Sequence, residues 1–209
     1  LFPGCNFPSF YPKTTRKLIK ILKDEADMGV LFDCCGKPVS ELGLEEQEGK
    51  IIRRLNERLR AADIQEIVML CPNCYYFLKD KLEIQVLSIY EKLSQLGIGQ
   101  KVEGKGGLFL PCPDRKETAV GIMLAPFLLE NPQIIEGTRG AVDWEDVCRR
   151  KGTGIWPEVW HAMCRGGYEH VYTYCASCAG NLTRNGGQGV SHLLTEILDC
   201  MNSRMWQSQ

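Results

Sequence analysis

The stretch IVMLCPNCYYFLKDKL (67–82) places a Cys-x-x-Cys motif directly after an apolar, β-branched run and directly before a helical pattern. The stretch HVYTYCASCAGNLTR (170–184) repeats this order in the second half of the chain. A strand followed at once by a helix is typical of a βαβ unit. The two stretches therefore predict a small parallel sheet in each half, with a cysteine pair where one strand ends.

Two further kinds of segment recur in both halves, and each is predicted to be a short strand that ends in cysteine. They are LFPGC (1–5) with GLFLPCPDR (107–115), and GVLFDCCG (29–36) with GAVDWEDVCRRKG (140–152). Between these segments, apolar residues recur at helical spacing, which predicts helices at 11–28, at 40–63 and in the second half of 116–130. The chain therefore reads as a tandem repeat. The predicted fold is α/β with two pseudo-repeated lobes, each a small parallel sheet flanked by helices, at 1–100 and 101–209.

The repeat places its cysteines at the carboxyl ends of predicted strands. In parallel sheets these ends share one edge, and ligands bind there. The first lobe contributes Cys5, Cys34, Cys35, Cys71 and Cys74, and the second contributes Cys112, Cys148, Cys175 and Cys178. The order of elements alone thus predicts one cysteine site in each lobe.

Composition limits the class of protein. A net charge of −1 over 209 residues argues against a general nucleic-acid binder. The longest apolar run, VGIMLAPFLL (120–129), is too short to span a bilayer and contains a proline, and the chain starts without a basic, apolar leader. We therefore expect a cytoplasmic protein. In a reducing compartment, 11 cysteines in a chain of this length favour metal binding or redox chemistry over structural disulfides.

Cys34 and Cys35 are adjacent, and successive side chains of a strand point to opposite faces. The two thiols can serve one site only if the strand ends there, and Gly36 makes the necessary turn inexpensive. Pro38 is expected to keep the segment from continuing as a helix. A vicinal disulfide at Cys34–Cys35, a thioredoxin-like motif at Cys71–Cys74 and a structural zinc site stay open as alternatives.

The series Cys5, CCG (34–36) and CPNC (71–74) resembles the cysteine-rich CCG domain. This domain occurs twice in the cysteine-rich subunit of heterodisulfide reductases, and it recurs in iron–sulfur subunits of glycolate, lactate and glycerol-3-phosphate oxidation systems. The resemblance covers the chain as a tandem repeat and is most specific in the first half.

The resemblance implies that the five first-lobe cysteines bind a non-cubane 4Fe–4S cluster at which disulfide chemistry occurs, with Cys34 and Cys35 as the catalytic residues. It also implies a ferredoxin-like or flavoprotein partner subunit and a small disulfide or thiol substrate. No dinucleotide-binding fingerprint is present, so flavin or nicotinamide is expected on a partner. The alternatives are a pure electron-transfer subunit of an organic-acid dehydrogenase complex and a zinc-binding structural module.

The second half departs from the pattern, because Arg149 follows Cys148 where the first half has a second cysteine. Four thiolates remain, enough for a cubane 4Fe–4S cluster or for zinc. Cys164 is a candidate fifth ligand, although the sequence favours a buried helix cysteine there. His161 is a weaker candidate ligand, and Cys200 is expected in the core of the last helix.

Overall fold

The computed structural model describes residues 1–103, 106–129, 133–135, 167–168 and 170–199. The chain divides into two compact units, Leu1–Ile98 and Gly99–Gln209. Each unit contains a parallel sheet flanked by helices, which confirms the predicted fold class. The predicted lobe boundary and the site residues assigned to each lobe stay predictions.

The first unit contains short helices around two long ones. Its helices are α1 (Asn6–Phe10), α2 (Pro12–Ala26), α3 (Lys37–Ser40), α4 (Glu45–Ala61), α5 (Pro72–Leu78) and α6 (Ile89–Leu96). The two long helices, α2 and α4, lie within the segments that apolar spacing predicts. Leu18 and Leu22 of α2 and Leu55 and Leu59 of α4 are buried, so each long helix packs one face on the core.

The sheet of the first unit is formed by β1 (Glu66–Met69) and β2 (Gln85–Ser88), and backbone bonds attach two short segments beside β1. β1 pairs in parallel with β2, and its Met69 forms a parallel bridge with Phe2. The Leu1 nitrogen donates to the Gly29 carbonyl at 2.7 Å, and the Leu31 N–H donates to the Leu1 carbonyl at 2.8 Å. The backbone order across the sheet is therefore 29–31, 1–2, β1 and β2.

Two details of the first unit differ from the prediction. Residues 29–36 do not form a strand, because only the backbone around Leu31 bonds to a neighbouring segment before the chain turns. β2 is not predicted, because it lies beyond the helical pattern that ends at residue 82 and the sequence analysis assigns no element there. Pro38 does not prevent a helix: it lies in the first turn of α3, where a proline has no N–H to lose.

Gly36 has a φ of 88° and sets the turn after the two adjacent cysteines. A Cβ on this residue would lie 3.2 Å from Cγ2 of Ile51 on α4. This confirms the predicted role of the glycine, because an L-residue here meets both backbone strain and a crowded neighbour.

Gly36→Ala is expected to lower the free energy of unfolding by about 1–2 kcal/mol, because alanine disfavours a positive φ. Gly49→Ala is the matched control, since Gly49 lies on the exposed face of α4 with open space around it. That control should raise stability by about 0.5–1 kcal/mol, the usual gain from replacing glycine within a helix. Urea unfolding of both variants measures the difference, and equal effects would contradict the account of the turn.

The second unit contains a four-stranded parallel sheet in the order β4-β3-β5-β6. Its described strands are β3 (Gly107–Leu108), β4 (Gln133–Ile134), β5 (Val171–Thr173) and β6 (Val190–His192), and its described α-helices are α7 (Ala119–Ile122), α8 (Ala176–Arg184) and α9 (Leu193–Ile197). In the segment 116–130, whose second half is predicted to be helical, the described residues 123–129 contain no α-helix. Pro126 instead lies in a 3-10 turn at Ala125–Phe127.

The two units repeat the same backbone plan. The last three residues of β1 and of β2 have counterparts 104 positions later in β5 and β6, as Ile67 pairs with Val86 and Val171 pairs with Val190. Cys71 begins α5 and Cys175 begins α8 in the same way, each with extended backbone. This correspondence supports the interpretation of the sequence as a repeat.

β4 is the edge strand next to β3 in the second unit. In the first unit, residues 29–31 lie at the corresponding edge. No pattern in the sequence indicates this strand. Its predicted counterpart, 140–152, lies outside the described residues. Across the described ranges, no helix is both long and apolar enough to cross a membrane.

Candidate metal centre

Three segments of the first unit bring the five predicted cysteines to the carboxyl edge of its sheet. Cys5 precedes α1, Cys34 and Cys35 precede the Gly36 turn, Cys71 precedes α5, and Cys74 lies in the first turn of α5. Gly4 (φ 71°) lets the first segment pass close to α5, because a Cβ there would lie 3.4 Å from Sγ of Cys74. The position of each cysteine thus follows from the end of an extended segment.

The five thiols form two hydrogen-bonded groups that lie close to each other. Hydrogen bonds link Cys74 to both Cys35 and Cys71, and a further hydrogen bond links Cys5 to Cys34. Cys5 is also close enough to Cys35 and Cys71 for their charges to act on it. Cys34 and Cys35 are thiols rather than a vicinal disulfide. The structure therefore brings all five predicted residues into one cluster of sulfur atoms.

The pKa values of the thiols in this group are shifted in opposite directions. The hydrogen bond from Cys74 lowers the pKa of Cys35 to about 7, with a smaller contribution from the Lys37 backbone N–H. The same donor lowers the pKa of Cys71, assisted by the backbone N–H groups of Cys74 and Asn73. The pKa of Cys74 is raised by these two hydrogen bonds and then by burial. Cys35 and Cys71 are therefore the sulfurs that most readily become thiolates.

Exposure varies across the cluster. Cys5 is exposed and Cys34 is half-buried, whereas Cys35 and Cys74 are buried at 5% and 3% exposure. Although the residue is exposed as a whole, partial desolvation of its sulfur raises the pKa of Cys5 to about 11, with added repulsion from the sulfurs of Cys34 and Cys35. The site thus opens to solvent at Cys5 and Cys34 and is closed behind Cys35 and Cys74.

The turn around the adjacent cysteines supplies backbone donors to sulfur. The Gly36 N–H donates to Sγ of Cys34 at 3.4 Å, and the first N–H groups of α5 approach Cys71. Backbone N–H groups at a helix start favour a thiolate over a thiol. Four protein thiolates bound to one zinc would stand about 2.3 Å from a common point. Within the described ranges, no group of three or more cysteine, histidine or carboxylate side chains is already arranged to hold a metal ion of any kind.

Three charged residues beside the cysteine pair are not predicted from the sequence. Asp33 accepts hydrogen bonds from Arg54 and Arg58 of α4, and it also accepts the Cys34 N–H. The sequence shows an aspartate immediately before the two adjacent cysteines, and two arginines four positions apart on a predicted helix, which places them on one face of that helix. Nothing local in the sequence indicates that they meet.

The second unit places Cys175 and Cys178 as the first unit places Cys71 and Cys74, at the start of the helix that follows the central strand. Both are buried beside Phe109 and Leu182. Cys112 begins a 3-10 turn after β3. Cys148, Cys164, Cys200 and His161 lie outside the described residues, so the second predicted ligand set is seen here only in part.

A buried polar group accompanies two of the second-unit cysteines along the chain: Asp114 is two residues after Cys112, and Tyr174 is one residue before Cys175. Asp114 is 0% exposed and accepts hydrogen bonds from the Val120 N–H at 3.0 Å and the Gly121 N–H at 2.7 Å. The Tyr174 hydroxyl donates to the same carboxylate. This group ties the Cys112 turn to the end of β5.

His192 occupies the place in β6 that Ser88 occupies in β2, and both cap the next helix. The Ser88 hydroxyl accepts the Tyr90 N–H, and Nδ1 of His192 accepts the Leu194 N–H. Burial lowers the pKa of His192 to about 3, only partly opposed by a hydrogen bond to the Tyr174 backbone. The imidazole is therefore neutral and serves as a helix cap.

The fold and the group of five cysteines define an α/β protein with a cysteine-rich site at a sheet edge. Residues 1–79, which contain all five clustered cysteines, match the family model described as CCG, cysteine-rich domain. This match supports the resemblance drawn from the CCG and CPNC motifs, and it indicates a metal-binding or iron–sulfur redox role. A comparison with curated proteins gives no match.

Among solved structures, a glutamate racemase from Bacillus anthracis has a TM-score of 0.41 at 10% identity, over 96% of this chain and 78% of that one. An aspartate racemase homologue from Pyrococcus horikoshii OT3 also has a TM-score of 0.41, at 11% identity over 96% and 95% of the two chains. Scores this low support no conclusion about function.

Proposed function

We propose that this chain is an iron–sulfur redox subunit whose first unit binds a non-cubane 4Fe–4S cluster. The ligands would be Cys5, Cys34, Cys35, Cys71 and Cys74. The observation that carries the proposal is the meeting of these five thiols at one sheet edge. The family match over residues 1–79 supports it independently.

The donor set fits such a cluster. Cysteine thiolates are the usual ligands of iron–sulfur clusters, and four of them suffice for a cubane. A fifth thiolate, supplied by Cys34 or Cys35, therefore suggests a cluster of different shape. The helix start at α5 and the turn at Gly36 supply N–H groups that favour thiolates.

The proposed reaction is the reduction of a small disulfide. One disulfide takes up two electrons and two protons and gives two thiols; the S–S bond breaks and two S–H bonds form. A reduced ferredoxin-like or flavoprotein partner subunit supplies the electrons. When bound, the cluster stores and passes electrons one at a time.

The chain's own residues would divide the remaining work. The exposed side at Cys5 and Cys34 admits the substrate, and Cys34 with Cys35 supplies the catalytic thiolates. The closed side at Cys35 and Cys74 excludes water from the interior. The hydrogen bond from Cys74, which lowers the pKa of Cys35 to about 7, favours the thiolate form that binding to iron requires.

In the second unit, Cys112, Cys148, Cys175 and Cys178 would hold a different centre, a cubane 4Fe–4S cluster or zinc. Arg149 replaces the fifth thiolate and would stabilise an anionic centre without binding iron. This centre would pass electrons to the first. We place the protein in the cytoplasm, where it acts through partner subunits.

A thiol titration of the anaerobic protein tests the disulfide chemistry. Adding 2-mercaptoethanol to the oxidised protein should change the absorption and paramagnetic spectra in a saturable way, because a substrate sulfur reaches the cluster. Ethylene glycol, the same molecule with oxygen in place of sulfur, is the matched control and should change nothing. A cluster spectrum that stays constant at high thiol concentration would instead support a pure electron-transfer subunit.

A further inference from the structure

We propose that Asp33 is a positioning residue that fixes the Cys34–Cys35 pair on helix α4. The clamp is the set of bonds that joins the Cys34 backbone to Arg54 and Arg58 through one carboxylate. Its existence is independent of any bound group, whereas its purpose, to order two cluster ligands, rests on the proposed function.

Both carboxylate oxygens of Asp33 take part. Oδ1 accepts the Cys34 N–H at 2.8 Å and a guanidinium N–H of Arg54 at 2.7 Å, and Oδ2 accepts from Arg58 at 2.6 Å. The aspartate side chain is only 12% exposed, although the two arginines are 55% and 52% exposed. Charge-assisted bonds to a shielded carboxylate are stronger than ordinary surface ion pairs.

Helix α4 is a firm support for this loop. Ile51, Arg54 and Arg58 follow one another along one face, at spacings of three and four residues. Ile51 contacts the turn at Gly36, and the two arginines hold Asp33. Leu55 and Leu59 anchor the helix in the same core as Cys35 and Cys74. The cysteine pair is therefore held on the helix from both sides.

The clamp also sets the local charge. Two guanidinium groups face one carboxylate, so one positive charge is left over beside Cys34 and Cys35. Because the arginines are half-exposed, water and salt weaken this field. It still favours anionic sulfur, and hence an anionic cluster, at this end of the site.

A second ion pair on α4 provides a matched control. Arg60 bonds to Glu83, which precedes β2 and lies outside the loop that carries Cys34 and Cys35. Glu83→Gln therefore breaks an arginine–carboxylate pair on the same helix without touching the cysteine loop.

Amide hydrogen exchange of the iron-free full chain, followed by NMR, tests the clamp directly. In Asp33→Ala, the Cys34 amide should exchange roughly tenfold faster than in the wild type, because its acceptor is gone. Asp33→Asn keeps an oxygen for this amide but weakens the arginine bonds, so its increase should be smaller. Glu83→Gln should leave the Cys34 amide unchanged. If the alanine variant does not fold, any faster Cys34 exchange in Asp33→Asn supports the clamp, and wild-type exchange overturns it.

A second measurement concerns the purpose of the clamp. After anaerobic iron and sulfide reconstitution, Asp33→Ala should retain iron but show a broadened and shifted paramagnetic spectrum, and Glu83→Gln should match the wild type. A wild-type spectrum in Asp33→Ala would overturn the positioning role. If the wild type takes up no iron while the exchange results hold, the proposed function fails and the clamp stands. If exchange at Cys34 is unchanged in both Asp33 variants, the clamp is wrong whatever the iron content.

Discussion

Asp114→Ala is expected to lower the free energy of unfolding of the second unit by about 3–5 kcal/mol. The substitution removes the carboxylate that accepts from the N–H groups of Val120 and Gly121 and from the hydroxyl of Tyr174. Asp114 is fully buried, so replacing its carboxylate with water requires the fold to open around it. Chemical denaturation of the full chain, followed by circular dichroism, measures the loss.

Two further variants distinguish the loss of the Asp114 hydrogen bonds from a general destabilisation of the region around β5. Tyr174→Phe removes one of the three donors and should cost about 1–3 kcal/mol. Tyr172→Phe, in β5 and two residues before Tyr174, removes a hydroxyl that takes no part in the group and should cost less than Tyr174→Phe. An Asp114→Ala protein within about 0.5 kcal/mol of the wild type would show that the carboxylate does not bind these donors.

Cys35→Ser is expected to change the type of cluster in the first unit while preserving the fold. Four thiolates remain at Cys5, Cys34, Cys71 and Cys74, which suffice for a conventional cluster. The predicted result is iron content close to that of the wild type with an altered paramagnetic spectrum. Circular dichroism and the unfolding midpoint should change little, because serine fits the volume of a cysteine at this 5% exposed position.

Cys35→Ala is the companion variant, since it removes the ligand without supplying a hydroxyl. Both variants should give the same new spectrum if only the sulfur matters. A wild-type spectrum in both would mean that Cys35 is not a ligand. The four-thiolate arrangement proposed for the second unit would then be the pattern for both units.

The sequence predicts best what depends on neighbours along the chain. Cys71 and Cys175 each lie between a strand and a helix, as the sequence predicts. The β-branched run before each cysteine and the helical pattern after it are local preferences that can be read from the sequence. The positive φ of Gly36 follows in the same way from the need to turn after two adjacent cysteines. The long helices α2 and α4 follow from their apolar spacing.

The sequence predicts less well what depends on distant contacts. Residues 1–2 and 29–31 bond to neighbouring segments through only a few backbone groups, so no two-residue period marks where they begin or end. Nor does any local pattern reveal that Asp33 meets Arg54 and Arg58, which lie 21 and 25 positions away. Such pairings exist only once the helix has packed on the core.

The iron and acid-labile sulfide content of the full chain, prepared anaerobically with iron supplied, tests the central claim most directly. We predict that the wild type contains both, and that a Cys71→Ser/Cys74→Ser protein loses the share that belongs to the first unit. The matched Cys175→Ser/Cys178→Ser protein should keep that share, because the pair it lacks belongs to the second unit. Stoichiometric zinc without labile sulfide in the wild type would contradict the account and favour a structural zinc module.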